Sequence, residues 1–362
     1  MDREELLRTL RSVRPGVADR EIVEQSTCFV FSGGRVHTFD DEVFCSAPVP
    51  LDIEGAVRAN TLYDLLVKMN DKRVAIACSE NELVVKGKRR KAGIRLEREV
   101  LLPLDAVEYP EVGWSELPDD FEQAVNLAWP CASRLEVGFI FTCVHLHPEY
   151  IEACDGFQVL RYFLDLGIDD SALVRADAIK SVVGTGVKDI CVDSSWVHFR
   201  REDGLIVSYR RYLDDFAPLD KFLDDKGLHP LEIPEGMSEA VMRASIFSSE
   251  NITHDYICID LRNDSVVVEG QGPTGWYKEK KEVVYEGDPV KFFISPRLIE
   301  ELANKANKCS MGDGRMVLVT DKYRYSISTV PPEEVTLDQE ISAQAEAAEI
   351  EEEEIQPEEA PF

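Results

Sequence analysis

Two stretches of this chain are nearly the same: VRANTLYDLL begins at Val57, and VRADAIKSVV begins at Val174, 117 residues later. Each is a short apolar run, then Arg-Ala, then a polar Asn60 or Asp177, then apolar residues at Leu62/Leu66 or Ile179/Val183. That order predicts a strand entering a capped helix. A third, more diverged copy is VKFFISPRLIEEL, in which Ser295 takes the cap position, Pro296 follows, and Leu298/Leu302 form the i, i+4 pair. Similar spacing between copies predicts a triplicated domain.

The elements around each copy repeat as well. Amphipathic helices are predicted over REELLRTLRSVR, DFEQAVNLAWPCAS and GMSEAVMRASIFSS, each followed by β-prone runs and turns, the repeated helix, and a further hairpin. The expected class is α+β, with helices on one face of antiparallel sheets. The domains are expected at 1–115, 116–230 and 231–330, with an acidic tail at 331–362.

Charge is uneven. The chain carries a net charge of -29, but residues 331–362 alone hold 12 Asp/Glu and no Lys or Arg. Such a segment cannot bury enough apolar surface to offset the entropy of ordering and is expected to stay unfolded. The remaining body is still acidic, so binding to nucleic acid requires a local basic surface. No apolar run is long enough for a membrane span, and the charged N-terminus lacks a signal-peptide core, so a cytoplasmic chain is expected. The nine cysteines are scattered without a C-x-x-C pair and read as reduced packing residues.

Motifs of enzymes are weak here. GQGPTG at Gly270–Gly275 matches G-x-G-x-x-G, but a strand rather than a helix follows it, so it reads as a hairpin turn. His145 and His147 share a strand face without a third metal ligand nearby. The pairs Asp119-Asp120, Asp169-Asp170, Asp214-Asp215 and Asp224-Asp225 sit where Asp caps helices and turns. No serine, histidine and acid constellation stands out, so neither an enzyme nor a cofactor is expected.

Four stretches together resemble the bacterial-type β sliding clamp of DNA polymerase III over residues 1 to roughly 330. ACDGFQVL at Ala153–Leu160 is similar to the family's A-T-D-G-H-R-L-A, and RASIFSSE at Arg243–Glu250 to its R-A-A-I-L-S-N-E. VEYPEVGWSELP and DDFAPLDKFL resemble its domain junctions. The resemblance implies three clamp domains per chain, each with two inner helices and outer sheets, and a homodimeric ring around double-stranded DNA, bound without regard to sequence. The implied partners are a DNA polymerase, an ATP-dependent clamp loader and other proteins carrying clamp-binding motifs. The alternative is a clamp-fold adaptor that binds such partners without encircling DNA.

Three sets of residues follow from that resemblance. For DNA, Arg8, Arg11 and Arg14 recur at i, i+3 spacing on the first helix, and Arg20 lies just after it. Lys68, Lys72, Arg73, Arg134, Lys180, Arg243, Arg297, Lys305 and Lys308 fall on or beside the other inner helices. Their ordinary reading is solvated surface charge; as a set they suit phosphate attraction. For partner peptides, the implied groove comprises Cys154, Gly156, Phe157, Gln158, Val159, Ala217, Lys221, Phe222, Val330 and Pro331, with Phe157-Gln158 replacing the usual His-Arg. For the subunit seam, Lys88, Arg89, Arg90, Lys91, Ile94 and Leu96 lie on the first-domain edge. The third-domain edge places Lys280 and Lys281 where the family has apolar residues, with Glu300 and Glu301 facing the basic run. A register shifted by two would instead give Val283 and Val284 the contact.

Overall fold

The computed structural model describes residues 1–135, 138–248 and 256–333, so the acidic tail lies outside the described residues from Glu334 on. The first stretch is α1 (Arg3–Val13), β1 (Cys28–Ser32), β2 (Arg35–Phe39), β3 (Val43–Pro48), β4 (Gly55–Arg58), α2 (Ala59–Lys68), β5 (Ala75–Cys78), β6 (Glu82–Lys86) and β7 (Lys91–Arg95). After β8 (Ser115–Glu116) come α3 (Phe121–Ala128), β9 (Cys143–His147), β10 (Tyr150–Cys154), β11 (Gln158–Phe163), β12 (Ala172–Arg175), α4 (Ala176–Ile179), β13 (Asp189–Val192), β14 (Trp196–Arg200) and β15 (Ile206–Arg210). After α5 (Asp220–Leu223) and β16 (His229–Glu232) come α6 (Met237–Ser248), β17 (Ile257–Leu261), β18 (Ser265–Gly272), β19 (Gly275–Glu282), β20 (Val290–Ile294), α7 (Pro296–Lys305), β21 (Lys308–Gly312), β22 (Arg315–Val319) and β23 (Tyr323–Ser328). The series helix, four strands, helix, three strands thus recurs three times. No helix among the described residues is long and apolar enough to cross a membrane.

Compactness divides the chain into two units, one of residues 1–156 and 160–217, the other of residues 157–159 and 218 onward. In the first, an eight-stranded sheet runs β4-β1-β2-β3-β15-β14-β13-β8 and a separate sheet runs β5-β6-β7. The first sheet crosses from one sequence repeat to the next where β3 pairs antiparallel with β15, Phe44 opposite Ser208 and Cys45 opposite Val207. Trp196 of β14 packs edge-on against Phe39 of β2 at 5.9 Å, in a core shared with Val30, Phe44 and Leu102. In the second unit, β19-β18-β17-β20 and β16-β21-β22-β23 are each contiguous ladders.

Helix α1 shows how sequence becomes structure. Asp2 caps it, accepting from the Glu4 and Glu5 amides at 2.9 and 3.1 Å, while Leu6, Leu7, Leu10 and Val13 are all buried. Each of those side chains contributes about 1.5–3 kcal/mol, against about 1 kcal/mol for the cap. Burial therefore decides the helix, and the cap decides where it starts. Arg3 in turn donates to the Leu66 carbonyl at 2.9 Å, satisfying the end of α2.

The expected caps of the repeated helices are corrected. Helix α2 begins at Ala59 with Arg58 in the cap position, and α4 begins at Ala176 after Arg175, neither with a side-chain cap. Asn60 and Asp177 sit inside the first turn and hold cations instead, Arg14 at 3.1 Å and Lys180 at 2.7 Å. Ser295 does occupy the cap position of α7 and Pro296 its first residue, without a side-chain bond. All nine cysteines are free, and all but Cys78 are buried.

The GQGPTG stretch is a hairpin: Gly272 pairs with Gly275 across the β18–β19 turn. Gly270 has a separate duty, since a Cβ there would lie 2.0 Å from the Ala244 carbonyl oxygen of α6. The obstacle is backbone, so the helix itself would have to move. Gly270→Ala should lower the urea-unfolding stability by about 1–3 kcal/mol, whereas an unchanged midpoint would show that α6 does not depend on this approach.

Candidate nucleic-acid and partner surfaces

Helices α1 and α2 lie side by side, as their end contacts show: the Met1 amine donates to Val74 O at 2.9 Å, the Arg3 amide donates to Lys72 O at 3.0 Å, and Arg14 reaches Asn60 at the far end. Tyr63 of α2 organises the cations between. Its hydroxyl accepts from Arg11 Nε at 3.0 Å, and the Arg14 guanidinium lies 4.6 Å above its ring. Both guanidinium groups stay exposed, as do Arg8, Arg20, Lys68, Lys72 and Arg73. Among the described residues none of Arg8, Arg11 and Arg14 has a carboxylate partner. The face is thus cationic, and two of its arginines are oriented by uncharged groups with no carboxylate in contact, Glu4 acting on Arg11 only at longer range.

The other predicted DNA residues differ. Arg134 is exposed, while Lys180 is paired with Asp177 and lies 5.7 Å over Trp129. In the second unit every predicted cation lies beside a carboxylate, and Arg297 and Lys305 share one. Arg243 binds Glu279 and the Tyr277 hydroxyl, both at 2.7 Å. The hydrogen bond from Tyr277, followed by that from Arg243, holds the Glu279 carboxyl down at about 2, so the pair is fully charged at neutral pH. Arg297 and Lys305 flank Glu301 at 3.8 and 3.6 Å, and Lys308 meets Glu232 at 2.6 Å. Exposed pairs of this kind stabilise little but cancel charge.

The residues assigned to a peptide groove fall in both units. Cys154, Gly156 and Ala217 belong to the first, and Phe157, Gln158, Val159, Lys221, Phe222, Val330 and Pro331 to the second. In the second unit, the Phe157 carbonyl accepts from the Ser328 amide at 2.8 Å, which leaves the half-exposed ring outside the ladder. Gln158 is buried and accepts from the Tyr325 hydroxyl at 2.8 Å, so its amide braces the strand. Lys221 Nζ lies 4.8 Å over the exposed Phe222 ring, and Val330 exchanges backbone bonds with Phe293 at 2.7 and 2.8 Å.

At the predicted seam, β7 and β19 are both sheet edges. Ile94 and Leu96 are buried within their own chain, whereas Lys88, Arg89, Arg90 and Lys91 are exposed at the β6–β7 turn. Lys281 folds back onto the Glu235 carbonyl at 3.1 Å and Glu279 at 3.3 Å, and Lys280 points outward. Val283 is buried and Val284 is 58 % exposed.

The structure also contains an arrangement that the sequence reading did not find. His198 lies directly opposite Ser208 in the β14–β15 ladder, with Nδ1 2.7 Å from the serine oxygen and Nε2 2.9 Å from Asp193. The order of groups is that of a hydrolase triad, but Ser208 and His198 are both 0 % exposed, so no substrate reaches the hydroxyl. Strand register alone brings them together, which no sequence spacing signals. His145 binds Glu152 at 2.8 Å, and Glu152 binds Arg161 at 2.7 Å. Among the described residues no group of His, Cys, Asp and Glu could hold a metal ion.

The fold these elements define is that of the bacterial β sliding clamps. The sliding clamp of Pseudomonas aeruginosa, DNA polymerase III subunit beta, solved bound to griselimycin, matches at TM-score 0.77 and 16 % identity over 91 % of this chain and 98 % of that one. The DNA polymerase III beta subunit of Thermotoga maritima matches at 0.77 and 15 %, and the clamp of Bartonella birtlesii at 0.79 and 13 %, with the same coverages. No family model matches the sequence, and no curated protein matches it. At such identities the likeness is one of fold.

Buried histidines give the first unit an acid sensitivity. Burial pushes His37 down to about 4, and its Nδ1 has no partner. Burial also lowers His198, outweighing its bond to Asp193. A histidine whose folded value lies below the unfolded value of about 6.5 contributes stability that is complete above that pH and lost as pH falls toward the folded value. The urea midpoint should therefore drop between about pH 7 and pH 5, with His37 supplying up to about 2 kcal/mol and His37→Gln losing correspondingly less. A midpoint flat across that range would contradict the assignment.

Proposed function

We propose that this chain is a DNA sliding clamp, a non-enzymatic ring that encircles duplex DNA and tethers a replicative polymerase. In this reading the domains are 1–115, 116–230 and 231–330, and two copies close the ring. The observation that carries it is the α1–α2 face on this fold: arginines fixed by a tyrosine and an asparagine, with no carboxylate in contact with them. Phosphates attract such a face without reading base sequence, and contacts of that kind exchange readily as the ring moves. A topological link makes tight local binding unnecessary, which suits a chain whose net charge is -29.

Partner proteins, including the ATP-dependent loader, would bind through short peptides at the residues around Phe157 and Phe222, where exposed aromatic rings stand beside ordered backbone. Seam formation would use the β7 and β19 edges, since unpaired strand edges are templates for another chain.

Two triple variants test the electrostatic part. Replacing Arg8, Arg11 and Arg14 with Ala should lower the salt slope of duplex binding by up to about three units. Replacing Arg243, Arg297 and Lys305 should change it by about one at most, because these three cations lie against two carboxylates, Glu279 and Glu301. Equal effects from the two sets would overturn the assignment of DNA to the first helix pair. Light scattering should give a particle of about twice 40.9 kDa, and a monomer at every concentration would exclude the two-copy ring.

A further inference from the structure

The β6–β7 turn is the densest cationic feature of the molecule. Lys86, Lys88, Arg89, Arg90 and Lys91 are five cations in six residues, all exposed. The turn is held in shape by Asp71, which accepts from the Lys88 amide at 2.9 Å and pairs with Arg90 at 3.1 Å. Among the described residues, Lys86, Lys88, Arg89 and Lys91 have no carboxylate partner, in a chain with 69 acidic residues. The edge strand beginning there adds Arg95. The β19 edge does not answer this charge: its outward row is Trp276, Lys278, Lys280 and Glu282, and Lys278 is already paired with Glu269 at 3.1 Å. Of Glu300 and Glu301, the acids expected to face the turn, Glu301 is engaged by Arg297 and Lys305, while Glu300 is half-buried and has no cation partner among the described residues.

We infer that the basic turn is the docking surface for the acidic C-terminal segment of a second copy of this chain, whose Glu351–Glu354 run supplies the charge that the β19 edge lacks. This rests on the two-copy ring proposed above. Three observations favour that occupant. Residues 334–362 contain no Lys or Arg, so their carboxylates have no basic partner within the segment. They number 29 and could extend about 95 Å, so reach is not limiting. The segment is also tethered, so within the ring its effective concentration is on the order of millimolar, while a free polyanion must approach a chain of net charge -29. The seam is then closed by a polyelectrolyte contact.

The test keeps the full chain and replaces Glu351, Glu352, Glu353 and Glu354 with Gln. At about 50 mM salt, sedimentation should show the dimer dissociation constant raised about ten-fold or more, and the difference should vanish near molar salt. Carbodiimide cross-linking of a mixture of light and heavy-isotope protein should join Lys88 or Lys91 of one copy to the segment of the other. Monomers throughout would sink the ring and this inference together. A stable dimer with an unchanged constant, or cross-links confined to single copies, would overturn the inference alone. If replacing Lys88, Arg89 and Lys91 with Ala lowered the salt slope of DNA binding and left the dimer constant unchanged, the turn would be a phosphate surface and the inference wrong.

Discussion

The antiparallel contact between β3 and β15 is the joint on which the first unit depends. Val43 to Ser46 pair with Ile206 to Tyr209, merging strands from two sequence repeats into one eight-stranded sheet. One of its faces carries both kinds of group: Phe44 lies opposite Ser208 and Ser208 opposite His198, on the same side as Phe39 and Trp196. Phe39, Phe44 and Trp196 make an apolar core there, beside which Ser208 and His198 form a buried polar pair joined to Asp193. A buried polar group is tolerated only when paired, so register and burial account for the serine–histidine–aspartate arrangement.

Charge is managed by position. The chain is acidic as a whole, yet α1 and α2 present arginines braced by Tyr63 and Asn60, and the β6–β7 turn presents a second, separate cationic surface. In the second unit Glu232, Glu279 and Glu301 offset part of the charge of the cations beside them. A summed charge describes none of this, because exposed pairs cancel locally and screening confines each field to about 10 Å.

The repeats, their helices and the β18–β19 hairpin were legible because local periodicity and turn chemistry encode them. The repeated Arg-Ala-polar motif has the pattern of a cap, but its polar residue is a cation partner inside the first turn. The i, i+4 spacing of Arg297 and Glu301 does signal their pairing, whereas Arg243 resembles Arg8 in sequence because its carboxylate, Glu279, is brought up by another strand and leaves no local mark. The His198–Ser208 contact and the approach of α6 to Gly270 were hidden for the same reason: both are set by which strand lies beside which. Three sequence repeats and two compact units describe one chain, since the β3–β15 ladder joins what the sequence separates.

The central claim is topological, and retention on DNA of different topology tests it most directly. The protein is loaded by an ATP-dependent loader onto nicked circular DNA, freed of unbound chain, and followed by gel filtration before and after the circle is cut once. The account predicts retention on the circle through moderate salt and release once an end exists. Equal loss from circle and line, or equal retention on both, would show that the chain holds DNA by contact or not at all, and would contradict it.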